Sequence, residues 1–361
     1  VFGKGNMLRN RKPARLFSRR QLLMGAAGSA LAVPVAKIAL ASSGSLVVGG
    51  LPVTCNLTLP VACSARSALA AKSGTSSGCG CASPSAGGLF EYSKYNGWPE
   101  IKESLMAGRI QAAFMLAPLV MDLVAKKIPI KIVALGHRSG AVIMVRTDSP
   151  CKTFKDLTGK RIAIPSRFAV DFLFLRKMLK KEGMAPGQVE LVEMPPPDMP
   201  AALYAKAVDA YCTGEPFGAA AQRAGYAVPL SMTRDEWRNY ICCCLTVRQE
   251  LIKSNPELLQ ELVNHILGAG VWLDQSPAHR TRAAEIASTR AFFNQDKRII
   301  DFVMQNPHDR VTYGDLRMIK EEFDELMQLS VDAQTLKQPI AYERYVDDSF
   351  ARVAVPARIV V

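Results

Sequence analysis

The stretch Glu193-Met194-Pro195-Pro196-Pro197-Asp198-Met199-Pro200, continued by Ala201 to Lys206 and by Val208-Asp209-Ala210-Tyr211-Cys212-Thr213-Gly214-Glu215-Pro216-Phe217-Gly218, decides the fold. It reads as a strand end, a stiff linker, a short helix, a strand, and the opening of a second helix. Consecutive prolines donate no backbone N–H and favour extended backbone, so they fix the course of the chain as it leaves the first strand. Asp198 is placed to cap a helix from Met199, with Pro200 in the first turn where a missing N–H costs nothing. Glu215 is pushed extended by the proline after it, and Pro216 starts the next helix. Two helix N-termini at the ends of neighbouring strands predict a place for a small anion.

Outward from this stretch, strands and helices alternate. Residues 45–51 form an apolar run ended by Pro52, a buried first strand, and a helix is expected from Leu57. Strands follow over 89–95, 110–115, 130–135, 141–146, 161–164 and 189–193, with helices over 99–107 and 118–126. Ser166 reads as the N-cap of a helix with Phe168, Phe172, Leu175 and Leu179 on one face, and Gly183 as its stop. Residues 227–230 form a further strand, and 240–247, with its Cys242-Cys243-Cys244 triplet, a strand that crosses back into the first lobe. From Asn255-Pro256-Glu257 the pattern is helical. This order predicts an α/β fold of two doubly wound lobes, with ligands at the carboxyl ends of the strands. The expected lobes are 42–146 with 240–361, and 147–239; residues 71–88, rich in Ser, Gly and Lys around Cys79-Gly80-Cys81, read as a flexible insertion in the first.

The net charge of +13 is not a nucleic-acid signature. Residues 1–41 hold eight basic side chains and no acid, which leaves +5 for the remainder. No basic stripe interleaved with aromatics is visible, and no nucleic-acid partner is expected. Ser18-Arg19-Arg20-Gln21-Leu22-Leu23, the apolar run after it and Ala39-Leu40-Ala41 look like a twin-arginine export signal with its cleavage site. That signal implies passage through the twin-arginine translocase to the periplasm, or a membrane association if it is not cleaved. Pro34 and Lys37 interrupt the run short of the roughly 20 apolar residues of a spanning helix. Nine cysteines form no CxxC pair, and Cys212 and the triplet read most simply as small buried hydrophobes.

Gly97-Trp98-Pro99-Glu100, 108–113, Ala117-Pro118-Leu119, 131–140, Ile164-Pro165-Ser166-Arg167-Phe168 and 193–218 together resemble the nitrate/sulfonate/bicarbonate (taurine, NMT1-like) family of ABC-transporter substrate-binding proteins. The resemblance runs from about residue 46 to 325. It implies a type II periplasmic binding protein, two lobes joined by two crossovers that close on a small solute, a monomer working with an ABC permease and its ATPase. By the same resemblance the ligand-facing residues are Thr54, Cys55, Asn56, Thr58, Trp98, His137, Arg138, Ser139, Ser166, Arg167, Phe168 and Glu215. Trp98 walls off the solute, Ser166 and helix-start amides hydrogen-bond an anion, and Arg167 or Arg138 neutralises it. Glu215 braces its loop or pairs with Arg167 across the cleft. Where relatives that bind small oxyanions often carry a charged or imidazole side chain in the first loop, this chain has Cys55-Asn56, which speaks against nitrate itself.

Neither a Ser/His/Asp spacing nor GxGxxG nor HExxH is present, so no enzyme and no cofactor are expected. Two alternatives remain beside the solute carrier. One is a protein that binds thiamine-pyrimidine precursors or resembles their synthase; the synthase family carries a CCCFC motif, whereas here the run is Cys242-Cys243-Cys244-Leu245-Thr246. A soft-metal or thiol-reactive ligand carrier would use Cys55, Cys63, Cys242 and Cys244, since successive strand residues face opposite ways and Cys243 should not join them.

Overall fold

The computed structural model describes residues 45–72, 89–238 and 240–361; the expected export signal and all but the first residues of the 71–88 insertion lie outside them. Twelve strands, β1 to β12 in chain order, occur among the described residues. The first sheet contains β1 (Leu46–Gly50), β2 (Phe90–Lys94), β3 (Ala112–Leu116), β4 (Ile130–Leu135) and β11 (Cys243–Arg248), in the order β2-β1-β3-β11-β4. β1 runs parallel to β2 and β3, whereas β11 lies antiparallel between β3 and β4. The five residues of β3, Ala-Ala-Phe-Met-Leu, are all buried, as a strand covered by helices on both faces requires.

The second sheet holds β6 (Ala141–Arg146), β7 (Arg161–Ile164), β8 (Glu190–Glu193), β9 (Ala210–Gly214) and β10 (Ala227–Met232), in the order β10-β6-β9-β7-β8. The first crossover therefore comes earlier than the sequence suggested. β6 already belongs to the second lobe, where it pairs with β9 and β10, so the chain changes lobes at 136–140. Two glycines make that short passage. A Cβ on Gly136 would sit 2.2 Å from Cε1 of Phe114, and Gly140 has φ +101° against Val311. The return crossover spans 233–242. Between them, β5 (Arg138–Ser139) pairs with β12 (Val311–Thr312), tying the crossover to the C-terminal region.

Helices from that region strap the two lobes. Pro256–Gln275 and Pro277–Ser288 pack on Thr58–Lys72 of the first lobe, and Lys297–Gln305 packs on Phe217–Arg223 of the second. Lys320–Asp332 touches both Ala117–Ala125 and Val170–Lys181.

Three local expectations are corrected. β8 and β9 are not neighbours, because β7 lies between them, so the two helix starts after them do not form one cradle. Asp198 makes no side-chain cap: the 3-10 turn Pro196–Asp198 runs straight into the helix Met199–Tyr204, and Asp198 has helical φ −85°, ψ −20° instead of the extended backbone a cap needs. The helix after β7 begins at Val170, not near Ser166, whose Oγ accepts from the Phe168 N–H at 3.1 Å within a turn.

Candidate functional site

The residues that converge do so because of strand direction. β1, β3 and β4 end at one edge of the first sheet, and antiparallel β11 begins there, with Cys243 opposite Leu116 and Cys244 opposite Leu135. The turns that leave or enter this edge carry Cys55 and Asn56 after β1, His137 after β4, and Cys242 before β11. From the second lobe, Gly214 at the end of β9 comes against Cys55, since a Cβ there would lie 3.2 Å from its Sγ. All of Thr54, Cys55, Asn56, Thr58, His137, Cys242 and Cys243 are buried.

The Thr54 N–H and Oγ1 both donate to the main-chain oxygen of Glu215, at 2.9 and 3.1 Å, which ties the first lobe to the second. Asn56 Oδ1 accepts from Leu51 N–H at 2.9 Å, which leaves its Nδ2 buried without a partner. Thr58 Oγ1 donates to Gly136 O at 3.3 Å. His137 Nε2 accepts from the Cys243 amide at 3.2 Å; that bond puts the ring proton on Nδ1, which is buried and unpartnered. The Trp98 Nε1–H, at the start of the helix Trp98–Met106, is likewise buried without an acceptor.

The thiols form a set of three. Cys242 Sγ and Cys243 Sγ are 3.8 Å apart, and the Sγ of Cys55, an imidazole nitrogen of His137 and Cys242 Sγ lie within 4.8 Å of one another. Cys243 is thus not turned away, as strand alternation predicted. β11 begins only at Cys243, so Cys242 is not held to the pleat and the two sulfurs share a side. Hydrogen bonds from Cys242 and Cys55 lower the Cys243 thiol, whereas hydrogen bonding to Cys242 and Cys243 raises Cys55, and hydrogen bonding to Cys243 raises Cys242. Two other cysteines expected in a metal set stand elsewhere. Burial, with Glu91 nearby, pushes the Cys63 thiol up. Cys244 lies towards Tyr342 and Tyr345.

Several expected anion contacts are committed to the protein itself. Arg138 donates through Nη1 to Glu322 Oε2 at 2.8 Å, through Nε to Asp315 O and through Nη2 to Arg317 O. Ser139 Oγ is 3.1 Å from Thr233 Oγ1. Arg167 is more than half exposed and pairs with Glu193 at 3.4 Å, not with Glu215. Phe168 is half-buried, with the ammonium of Lys126 from the first lobe 5.8 Å from its ring centre. Glu215 makes a fully buried ion pair with Arg310, Oε1 to Nε 2.7 Å, and its Oε2 accepts from Ala219 N–H at 2.8 Å. The guanidinium Nε–H is not aimed in line at the carboxylate, so the contact is an ion pair more than a linear hydrogen bond.

Sequence reasoning missed three residues here. Asp171 is buried, and desolvation holds its carboxyl well above the ordinary range, with the Tyr240 hydroxyl donating to it at 3.4 Å. Tyr313 reaches back across the fold to donate to Thr54 O at 2.7 Å. Arg310 was invisible because its partner lies 95 positions away, and no local pattern marks it.

This architecture, two α/β lobes with two crossovers and a buried cluster of polar and thiol side chains at the strand edge, is that of a type II periplasmic binding protein. A solved structure from Staphylococcus aureus, the ligand-binding component of an ABC-type import system with zinc bound, superposes with a TM-score of 0.73 at 26% identity, over 87% of this chain and 99% of that one. The NMT1-like family model matches residues 42–288, and the chain belongs to that family. Among curated proteins it is 27% identical over 251 residues to the nitrate/nitrite binding protein NrtA of Nostoc sp. PCC 7120, covering 63% of this chain and 56% of that protein. It is 24% identical over 213 residues to the taurine-binding periplasmic protein of Escherichia coli K12, covering 56% and 65%. The chain thus spans a little over half to two thirds of these relatives' lengths.

Proposed function

We propose that this chain is the solute-binding component of an ABC importer, which captures a small anion or sulfonate-like solute between its lobes and delivers it to a membrane permease driven by an ATPase. Kinship with binding proteins favours transport over catalysis. In this reading the protein works in the periplasm and is exported through the twin-arginine translocase. The observation that carries the binding role is the pair of unpartnered donors, Asn56 Nδ2 and His137 Nδ1, buried where the strands of the first sheet end. A buried donor left without an acceptor costs about 1–3 kcal/mol, a cost that a bound solute oxygen relieves. Trp98, with its own unpartnered N–H, supplies an apolar wall at the same edge of the sheet.

The test is a thermal-shift panel of nitrate, nitrite, bicarbonate, alkanesulfonates and taurine. A solute present at about 100 times its Kd stabilises the protein by about 2.7 kcal/mol. His137→Ala and Asn56→Ala should each remove most of that shift. A panel in which no solute moves the transition refutes the reading.

A further inference from the structure

The geometry points to a metal site at this sheet edge: we propose that Cys55 Sγ, Cys242 Sγ and an imidazole nitrogen of His137 bind one thiophilic cation of the zinc type. These ligand atoms already lie within 4.8 Å of one another, and all three residues are buried. Around a tetrahedral zinc with Zn–S bonds of about 2.3 Å, neighbouring sulfurs stand about 3.8 Å apart, so about 1 Å of side-chain adjustment completes the set. The donors come from three separate turns at one sheet edge, held by backbone, which is the preorganisation such a site needs. Coordination through Nε2 takes over the lone pair that the Cys243 amide now engages, and it leaves Nδ1–H free to donate.

Charge provides the second, independent argument. Among the described residues, the three buried arginines are all spoken for: Arg138 by Glu322, Arg280 by Asp274 and Arg310 by Glu215. Among the described residues, the buried carboxyl of Asp171, near Cys242, has no cationic partner. A buried cluster with thiols, an acid and, among the described residues, no uncommitted buried arginine suits a positive ion. With two thiolates a divalent metal is neutralised, and the thiol protons leave to solvent as it binds. Three protein ligands leave the fourth position open, where a solute anion can coordinate. The metal would then supply the positive charge that Arg138 and Arg167 do not. Only this last role rests on the proposed importer function; the binding of the metal does not.

The full chain, reduced and stripped with chelator, is titrated with Co2+ as a spectroscopic stand-in and then with Zn2+. The expected result is one cobalt per chain, with a sulfur-to-cobalt charge-transfer band that zinc abolishes. Cys55→Ser and Cys242→Ser should each weaken binding by more than the about 10–100-fold typical of a lost outer-sphere partner. Cys63→Ser should leave it unchanged, because that thiol lies towards Glu91 instead. No charge-transfer band in the parent protein, a band that survives Cys55→Ser, or a disulfide among Cys55, Cys242 and Cys243 in protein recovered from the periplasm overturns the proposal. The solute panel is run on the stripped protein in parallel. A solute shift without metal binding sinks this inference alone, and metal binding without any solute shift, loaded or stripped, sinks the importer reading alone.

Discussion

Replacing Arg310 by Met tests the tie that holds the Glu215 loop against Thr54. Arg310 and Glu215 have side chains 2% and 1% exposed, at 2.7 Å. The arginine also donates to Asn306 O and to Gln222 Oε1, both at 3.0 Å. Methionine keeps most of the apolar stem but leaves the Glu215 carboxylate, the Asn306 carbonyl and the Gln222 amide oxygen without their donor. Removing one partner of a buried pair costs about 3–5 kcal/mol, because the other charge stays out of water. For roughly 320 folded residues the unfolding entropy is about 0.7 kcal/mol/K, so the melting temperature should fall by roughly 4–7 °C. Burial already raises the Glu215 carboxyl and Arg310 opposes that rise, so in the variant it rises further and the deficit should shrink as the pH is lowered. Denaturant unfolding across pH measures this. The double variant Arg310→Met with Glu215→Gln, which has no charge to strand, should recover at least about half the loss. A single-variant loss under about 1 kcal/mol, or a double variant worse than the sum of the singles, refutes the reasoning.

Three further outcomes are expected. Gly136→Ala should lose about 1–3 kcal/mol in denaturant unfolding, since the new methyl must displace the Phe114 ring from 2.2 Å; a neutral change would show the crossover to be looser than drawn. Asp171 has its carboxyl raised by burial, so the native state of the metal-free protein holds that proton more firmly than the unfolded chain does. Stability is therefore full below the unfolded value of about 4 and declines as pH rises towards the raised native value. Asp171→Asn should flatten that decline, and identical pH profiles for parent and variant would contradict it. Arg167→Ala should change solute affinity and stability little, because an exposed pair such as Arg167 with Glu193 contributes about 0–1 kcal/mol; a tenfold loss of affinity measured by calorimetry would put Arg167 back in the site.

Much of the site's location could be read from the chain, because strand ends are local features. The turn after β1 with Cys55 and Asn56, and the turn after β4 with His137, follow from apolar runs that stop at proline or glycine. Their partners could not be read. Arginines look alike in sequence, whether they await an anion or are spent on a carboxylate; Arg138 and Arg167 read as ligands, and the fold gives them Glu322 and Glu193.

The sequence by itself determined the alternation of strand and helix, the return of the cysteine strand to the first lobe and the family, because these rest on periodicity and on motifs within a few residues of one another. Tertiary structure decided where the lobes divide, why Cys243 joins Cys242, and which arginines are already spent on carboxylates. Those depend on pairs brought together across the chain, as when β11 slots antiparallel between β3 and β4 and carries its first residues to the edge where the four other strands of the sheet end.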